Sequence, residues 1–379
     1  MSIASTDRNI FYRSVSTVTG LFSSLLEKLG LKKTTQDPEA KRQQLRQIHH
    51  KNTTIPSEAS TSLLEKIIGL EKNFYAGSPF SRVPLQLNDF QTMQHKANIE
   101  ELDYQTGPGR PLKAFWLKPK TSSMQTFVVL SGIRSSAKYK LPAVAKLTEA
   151  NIPVIIGNYT GVGSSYGLNI NHDTITSDAK KLIENALNKD HKLGVIGHSL
   201  GSAVSARTLA QLSETRAGDL FGDIVMVSPW NKFNDVINTY PGPWLKPLGK
   251  LLSLYSDQIL HNKESNSNVW DTGTNLSVMI RNIAQYLEKN NISEHKKLRI
   301  HLFHGTHDSV VRIEEAETLL KSIQEQLQRL PDKVRKHFEI TLCRVQDGDH
   351  FSIESEDPSL IVEQSRLPIS EILHALNNK

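Results

Sequence analysis

Short apolar segments alternate with amphipathic stretches along the chain from about residue 97 onward. The apolar segments are continuous, as expected for strands that are buried on both faces. They span residues 126–132, 152–159, 192–199, 222–229, 298–303 and 338–345. Helical periodicity lies around residues 141–151, 177–189, 202–212, 313–327 and 360–376. This order predicts βαβ crossovers, and therefore an α/β fold with a mostly parallel sheet and helices on both faces.

The chain before the first strand has a different pattern. Residues 1–90 are predicted to form a helical, polar N-terminal extension, and residues 91–379 to form the main α/β domain. In the extension, residues 9–33 place apolar side chains at helical spacing. We favour a helix that packs this apolar face on the main domain; the alternative is peripheral contact with a membrane. At the start of the domain, residues 98–119 predict a β-hairpin with a glycine-rich turn.

One segment, residues 230–296, does not fit the alternation of strands and helices. It follows a predicted strand, and its apolar residues include Trp230, Trp244 and Leu248. Open α/β sheets bind ligands outside the carboxyl ends of their strands, where this insertion begins. The segment therefore predicts a helical lid over a binding pocket. The alternative is a pair of helices that pack their apolar residues onto the sheet.

Composition narrows the class of protein. Of the 379 residues, 38% are hydrophobic and 22% are charged, as is usual for a globular protein. The formal net charge of +6 comes without the dense basic face of a nucleic-acid module, so no nucleic acid is expected as a partner. The single cysteine, Cys343, excludes an intramolecular disulfide.

The sequence also indicates where in the cell the protein is expected. No apolar run reaches about 18 residues, so no transmembrane helix is expected. The N-terminus lacks the charged start, apolar stretch and cleavage site of a conventional signal peptide. We therefore expect a cytoplasmic protein or one secreted without such a peptide, with peripheral membrane attachment as a further alternative.

Residues 197–201 read Gly-His-Ser-Leu-Gly and join a predicted strand to a predicted helix. This is the G-x-S-x-G pattern in the strand–turn–helix context that such a motif requires. A strained turn leaves room only for minimal side chains on either side of the serine, hence Gly197 and Gly201. Ser199 then stands at the start of a helix, where developing negative charge is stabilised. The pattern predicts a nucleophilic serine; the alternative is a glycine-rich turn without chemistry.

A serine nucleophile needs a base to take its proton and a carboxylate to hold that base. Asp308 and His350 follow the last two predicted strands. The order Ser199, Asp308, His350 and the segments GHSLG, HGTHDSVV, DGDHF and NYTGVGSSYG resemble the α/β-hydrolase-fold serine hydrolases of the lipase and esterase type. The resemblance covers the chain from about residue 97. It implies the α/β-hydrolase fold with Ser199 as nucleophile, Asp308 as acid and His350 as base.

The resemblance also implies an oxyanion hole made by the backbone N–H groups of Ile133 and Leu200. Ser131 stands where the family often has a histidine. A polar extension before a lipase-like domain is also similar to secreted bacterial effector hydrolases.

Four other residues near these motifs carry similar chemistry. Asp349 adjoins His350, but neighbours in a tight loop rarely face each other, so Asp308 is the better acid. His198, His304 and His307 are interpreted as packing and hydrogen-bonding residues, and no metal site is expected because no His/Cys cluster accompanies them.

The resemblance implies a serine hydrolase that cleaves esters or thioesters of apolar acyl groups through an acyl-enzyme, without a cofactor. The expected substrate is an acyl ester or lipid, held by the lid residues Trp230, Trp244 and Leu248. Three alternatives stay open: a protein depalmitoylase, an acyltransferase with the same three residues, and a non-catalytic binding module of this fold.

Overall fold

The computed structural model describes most of the predicted α/β domain. The described residues are 83–106, 111–121, 125–132, 135–163, 165, 170–188, 192–239, 261–262, 267–290, 292, 295–346, 348–350 and 369–377. The predicted extension up to residue 82 and the turn of the first hairpin lie outside them. Among the described residues, no helix combines the length and apolarity that crossing a membrane requires.

Eight of the described strands form one sheet, and they are β1 Ala97–Gln105, β2 Pro111–Pro119, β3 Gln125–Leu130, β4 Val154–Gly157, β5 Lys192–His198, β6 Asp223–Val227, β9 Leu298–Gly305 and β10 Phe338–Val345. Their order in the sheet is β1-β2-β4-β3-β5-β6-β9-β10. β2 runs antiparallel to both β1 and β4, whereas the other neighbouring strands pair in parallel. The short strands β7 His261–Asn262 and β8 Ser267–Asn268 pair separately.

Helices cover both faces of the sheet, which confirms the predicted α/β class. They are α1 Leu141–Glu149, α2 His172–Leu187, α3 Leu200–Arg216, α4 Phe233–Thr239, α5 Thr272–Lys289, α6 Ile313–Gln328, α7 Asp332–Arg335 and α8 Ile369–Asn377. Within the described ranges, three 3-10 helices span Leu87–Met93, Ala137–Lys140 and Ala217–Asp219. One apolar cluster includes residues of α2, α3, α5, α6 and α7, and a second includes residues of α1 and α8.

The central strand β3 explains why the apolar runs are continuous. Its alternate residues point to opposite faces of the sheet. Val128 and Leu130 belong to one apolar cluster, whereas Phe127 and Val129 belong to the other. Because a helical layer covers each face, both sets must be apolar. The strand is buried along its whole length.

Part of the segment 230–296, predicted to form a lid, lies within the described residues. α5, which occupies much of its second half, packs against α3 and contributes Leu276, Met279 and Ile280 to the core cluster. α5 is therefore a helix of the packed core, and a lid over a pocket stays a prediction. Two short paired strands, 261–262 and 267–268, also lie where helices were expected. The apolar spacing of α5 predicts a helix correctly but carries no information about which surface it contacts.

This position of α5 leads to a stability prediction. Ile280 is fully buried, so Ile280→Ala should lower the free energy of unfolding by about 2–5 kcal/mol through lost burial and a cavity. Gln285 lies exposed on the same helix, and Gln285→Ala should change it by less than about 0.5 kcal/mol. Urea unfolding of the two variants measures the difference. Equal, small effects would contradict the assignment of α5 to the core.

Candidate active site

The turn between β5 and α3 holds Ser199 in a conformation that side chains rarely adopt. Its φ is +53° and its ψ is −120°. The N–H of Ser199 donates a hydrogen bond of 2.8 Å to the carbonyl oxygen of Val227 at the end of β6. A Cβ atom on Gly197 would lie 2.5 Å from the carbonyl oxygen of Gly201, and one on Gly201 would collide with the carbonyl oxygen of Leu130. The two glycines therefore permit the strained turn, as the sequence predicted.

The structure brings Ser199, His350 and Asp308 into direct contact. His350 Nε2 lies 3.0 Å from Ser199 Oγ, and His350 Nδ1 lies 2.8 Å from Asp308 Oδ2. The three residues are 6–7% exposed. Each follows the carboxyl end of a parallel strand, namely β5, β9 or β10, and such ends share one edge of a sheet. Residues far apart in sequence thus form one line of hydrogen bonds.

Asp308 is held by more partners than the sequence indicated. Its Oδ1 accepts hydrogen bonds from the backbone N–H groups of Val310 and Val311, at 2.9 and 2.8 Å. His304 Nε2 lies 3.3 Å from Asp308 Oδ2 and 2.8 Å from the carbonyl oxygen of Val311. Burial opposes ionisation of Asp308, but the hydrogen bonds from His304, His350 and Val311 outweigh it and hold the pKa of the carboxyl group well below its usual value. Asp308 therefore stays a carboxylate.

The contact of His304 with Asp308 refines the interpretation of that histidine as a packing residue. His304 lies on β9, four residues before Asp308, and it is fully buried. In the sequence, this contact is indicated by the four-residue spacing alone, and the spacing does not show which way either side chain points. Asp349 and His307 are exposed, and neither replaces Asp308 or His350 in the line of hydrogen bonds. The described residues contain no group of three or more side chains arranged to bind a metal ion.

The loop after β3 approaches the serine closely. A Cβ atom on Gly132 would lie 3.4 Å from Ser199 Cβ and 3.2 Å from His198 Nδ1. Tyr159 donates its hydroxyl hydrogen to the carbonyl oxygen of Ser131, at 3.2 Å, which fixes the start of this loop. Ile133, the first predicted oxyanion donor, lies outside the described residues, so its role stays a prediction.

Leu200, the second predicted donor, is the first residue of α3. The first N–H groups of a helix have no acceptor within the helix and point along its axis away from the chain that follows. The N–H of Leu200 is therefore available beside Ser199, at the positive end of the helix dipole.

Trp230 lies in the buried core rather than on a surface. It is 4% exposed, its ring packs against Phe233, and its Nε1 donates a hydrogen bond of 2.8 Å to the carbonyl oxygen of Trp270. These contacts account for the residue without a substrate, and a role in substrate binding stays a prediction. Trp244 and Leu248 lie outside the described residues.

The geometry suits acyl transfer. A hydroxyl group within 3.0 Å of an imidazole nitrogen can pass its proton to that nitrogen while it attacks a carbonyl carbon. A carboxylate on the other ring nitrogen keeps the ring in the tautomer that accepts the proton. The same set of groups handles esters, thioesters and amides.

The fold resembles solved α/β-hydrolases. An α/β-hydrolase of Vibrio vulnificus matches 78% of this chain and 91% of its own at a TM-score of 0.53 and 14% identity. An esterase of Pyrococcus furiosus matches 80% of this chain and 98% of its own at a TM-score of 0.48 and 19% identity. A fungal esterase from Rhizomucor miehei matches 85% and 92% at 0.49 and 16%. The first likeness supports the fold alone. No curated protein matches the chain significantly.

The sequence profile of one family spans the turn at residues 197–201, called the elbow below, the loop after β9 that carries Asp308, and most of the sheet. That profile, described as serine aminopeptidase, S33, matches residues 121–333, which is more than half of the chain. Its range includes Ser199 and Asp308 and ends before His350. The parallel sheet and its elbow agree with the match, and the chain therefore belongs to the serine aminopeptidase S33 family of α/β-hydrolase-fold hydrolases.

Proposed function

We propose that the protein is a serine hydrolase that cleaves carboxylic esters or thioesters of apolar acyl groups through an acyl-enzyme. The observation that carries this proposal is the unbroken line of contacts from Ser199 Oγ through His350 to Asp308, at 3.0 and 2.8 Å. A non-catalytic binding module has no physical reason to keep three buried polar side chains in this arrangement.

In the acylation step, Ser199 Oγ attacks the carbonyl carbon of the substrate and its proton passes to His350 Nε2. The carbonyl π-electrons move to the oxygen, which becomes an oxyanion. His350 then gives the proton to the leaving alcohol or thiol as the bond between the carbonyl carbon and the leaving group breaks. The carboxylate of Asp308 stabilises the imidazolium form of His350 between these two transfers. The product of this step is an ester of Ser199.

In the deacylation step, water takes the place of the leaving group. His350 Nε2 accepts a proton from water as the water oxygen attacks the acyl carbon. The second oxyanion collapses, Ser199 Oγ recovers a proton from His350, and the carboxylic acid leaves. Both oxyanions form beside the N–H of Leu200, which with the predicted N–H of Ile133 makes the oxyanion hole.

The choice of an apolar acyl group rests on the segment between β6 and α5. Its sequence contains Trp244 and Leu248, and it follows the end of a strand at the sheet edge that carries Ser199. An apolar sequence that follows a strand ending at this edge favours an acyl chain over a polar substrate. Depalmitoylation and transfer to an alcohol use the same steps with a different leaving group or acceptor, so product identification separates them.

The family match favours a second candidate. The family is described as serine aminopeptidase, which acts on amide bonds. The same steps cleave an amide when His350 protonates the leaving amine. Aminoacyl 4-nitroanilides, assayed beside 4-nitrophenyl esters, decide between the two substrate classes. Faster turnover of the anilides would overturn the ester proposal and leave the nucleophile assignment intact.

Replacing the serine should abolish the reaction. Ser199→Ala removes the attacking oxygen, and activity on 4-nitrophenyl acetate should fall by about 10⁴-fold or more because nucleophile and base act as a unit. A fluorophosphonate probe should label wild-type protein at Ser199, as read by peptide mass spectrometry, and should not label the variant. Turnover of purified Ser199→Ala at the wild-type rate would refute the assignment.

The acid can be tested against its neighbour in the base loop. Asp308→Asn should lower kcat by about 10⁴-fold, because an amide favours the wrong tautomer of His350. Asp349→Asn, at an exposed position next to His350, is the matched control and should change kcat only slightly. Steady-state kinetics of both variants give the ranking. Equal losses, or a larger loss for Asp349→Asn, would contradict the role of Asp308.

Dependence on acyl length tests the apolar pocket. Burial of each CH₂ contributes about 0.8 kcal/mol, so kcat/KM for 4-nitrophenyl esters should rise with chain length and then level off. Trp244→Ser combined with Leu248→Ser should flatten this rise and leave acetate turnover near the wild-type value. The control is Gln285→Ala, at an exposed position of α5, which should preserve the rise. An unchanged profile in the double variant would remove this segment from the substrate site.

A further inference from the structure

A buried pair, Lys140 and His198, lies beside the proposed nucleophile and has no role in the steps above. Lys140 Nζ lies 3.1 Å from His198 Nδ1. His198 Nε2 lies 2.8 Å from the main-chain carbonyl oxygen of His350. Lys140 is 2% exposed and His198 is 4% exposed. Two contacts thus join a buried ammonium group to the main chain of the proposed base.

The chemistry of the three groups fixes the direction of both hydrogen bonds. An ammonium group only donates, and a carbonyl oxygen only accepts. His198 therefore accepts at Nδ1 and donates from Nε2, which defines the neutral tautomer protonated at Nε2. Burial, and then the charge of Lys140, lower the pKa of His198 well below its usual value, so the ring stays neutral. Burial also lowers the pKa of Lys140 to about 8, which leaves the ammonium form dominant at pH 7.

We propose that Lys140 and His198 are positioning residues: Lys140 holds the ring of His198, and His198 holds the main-chain carbonyl of His350, so that His350 Nε2 stays within reach of Ser199 Oγ. This inference rests on the proposed role of His350 as base. Without the ammonium group, His198 Nδ1 loses the donor at 3.1 Å, and the hydrogen bond from Nε2 to the carbonyl oxygen of His350 is left to orient the ring. The ring then turns more freely, and the main chain of His350 moves with it.

The other contacts around His350 show why the hydrogen bond from His198 to its main-chain carbonyl matters. Ser228 Oγ lies 3.5 Å from the same carbonyl oxygen, so His198, at 2.8 Å, is the nearer of the two side chains. The preceding turn is held through Gly348, whose N–H donates to Val345 and whose carbonyl accepts from the N–H of His307. Those bonds fix the turn before His350, whereas His198 fixes the residue itself.

Stability and activity should respond in different directions to a loss of Lys140. A neutral ring compensates a buried ammonium charge less well than a carboxylate does, so burial of Lys140 costs stability. Lys140→Met keeps the length of the side chain and removes the charge, and its Tm should equal or exceed that of the wild type. A residue that serves only the fold would lose stability on removal, and its effect on rate would follow the loss.

The first experiment measures Lys140→Met at pH 7. We expect kcat for 4-nitrophenyl acetate to fall on the order of 10- to 100-fold, as for displacement of a reacting group by about 1 Å, with KM within about twofold. The rate of labelling by a fluorophosphonate should fall in parallel. The matched control is Lys138→Met on the same 3-10 helix, where Lys138 is half-buried and pairs with Asp89 at 2.9 Å. It should keep the wild-type rate.

The second experiment tests whether Lys140 acts through His198. His198→Leu removes both contacts and should lower kcat at least as far as Lys140→Met. His198→Gln keeps an amide oxygen for the ammonium group and an amide N–H for the carbonyl of His350, and should recover part of that loss. In a double-mutant cycle, Lys140→Met should cost nothing further in the His198→Leu background.

The outcomes separate this inference from the proposed function. Wild-type protein that does not label at Ser199 overturns the proposed function and the positioning role together. Wild-type protein that labels while Lys140→Met labels equally fast overturns the positioning role alone. Additive losses in the cycle, or a loss in Lys140→Met matched by a lowered Tm, overturn it as well. Non-additive losses with an unchanged or raised Tm support it.

Discussion

The backbone conformation of Ser199 is the constraint on which the site depends. A left-handed conformation costs a residue with a side chain about 1–3 kcal/mol and persists only where its surroundings enforce it. Here the hydrogen bond to Val227 and the close packing of the two flanking glycines enforce it. The strained turn sets the start of α3 and the distance between the serine oxygen and His350. The strain at Ser199 lowers the stability of the fold, and the same backbone conformation places Ser199 Oγ next to His350.

Burial makes the polar groups around this turn depend on one another. Each buried polar atom loses water and needs a protein partner, so the site extends beyond the three residues that the proposed mechanism uses. His304 contacts Asp308, and His198, itself in contact with Lys140, contacts the main-chain carbonyl of His350. The proposed base is therefore held through both its ring and its backbone.

Local sequence patterns predict much of the fold and of the site. They indicate the continuous apolar strands, the glycines of the turn at residues 197–201, and the positions of Asp308 and His350 after successive strands. Their meeting at one sheet edge follows from parallel pairing alone. The sequence does not show which surface a helix face contacts or which charged side chain is buried. The apolar face of α5 predicted a helix but not its contact with α3, and nothing in the sequence marked Lys140 as buried, because lysine is usually solvated. The burial of Trp230 and its contacts with Phe233 and Trp270 could not be predicted from the sequence either, and its role in substrate binding stays a prediction.

The strand order has a consequence for inactivation. In the part of the chain that the structure describes, β10 is an edge strand that pairs with β9 on one side, and His350 follows it by five residues. Edge elements open at lower free energy than the central strands that carry Ser199. Fraying of this edge separates the imidazole from the serine while the hydrophobic interior stays intact. Loss of turnover and global denaturation are then two transitions, and amide hydrogen exchange along β10 reports the first of them.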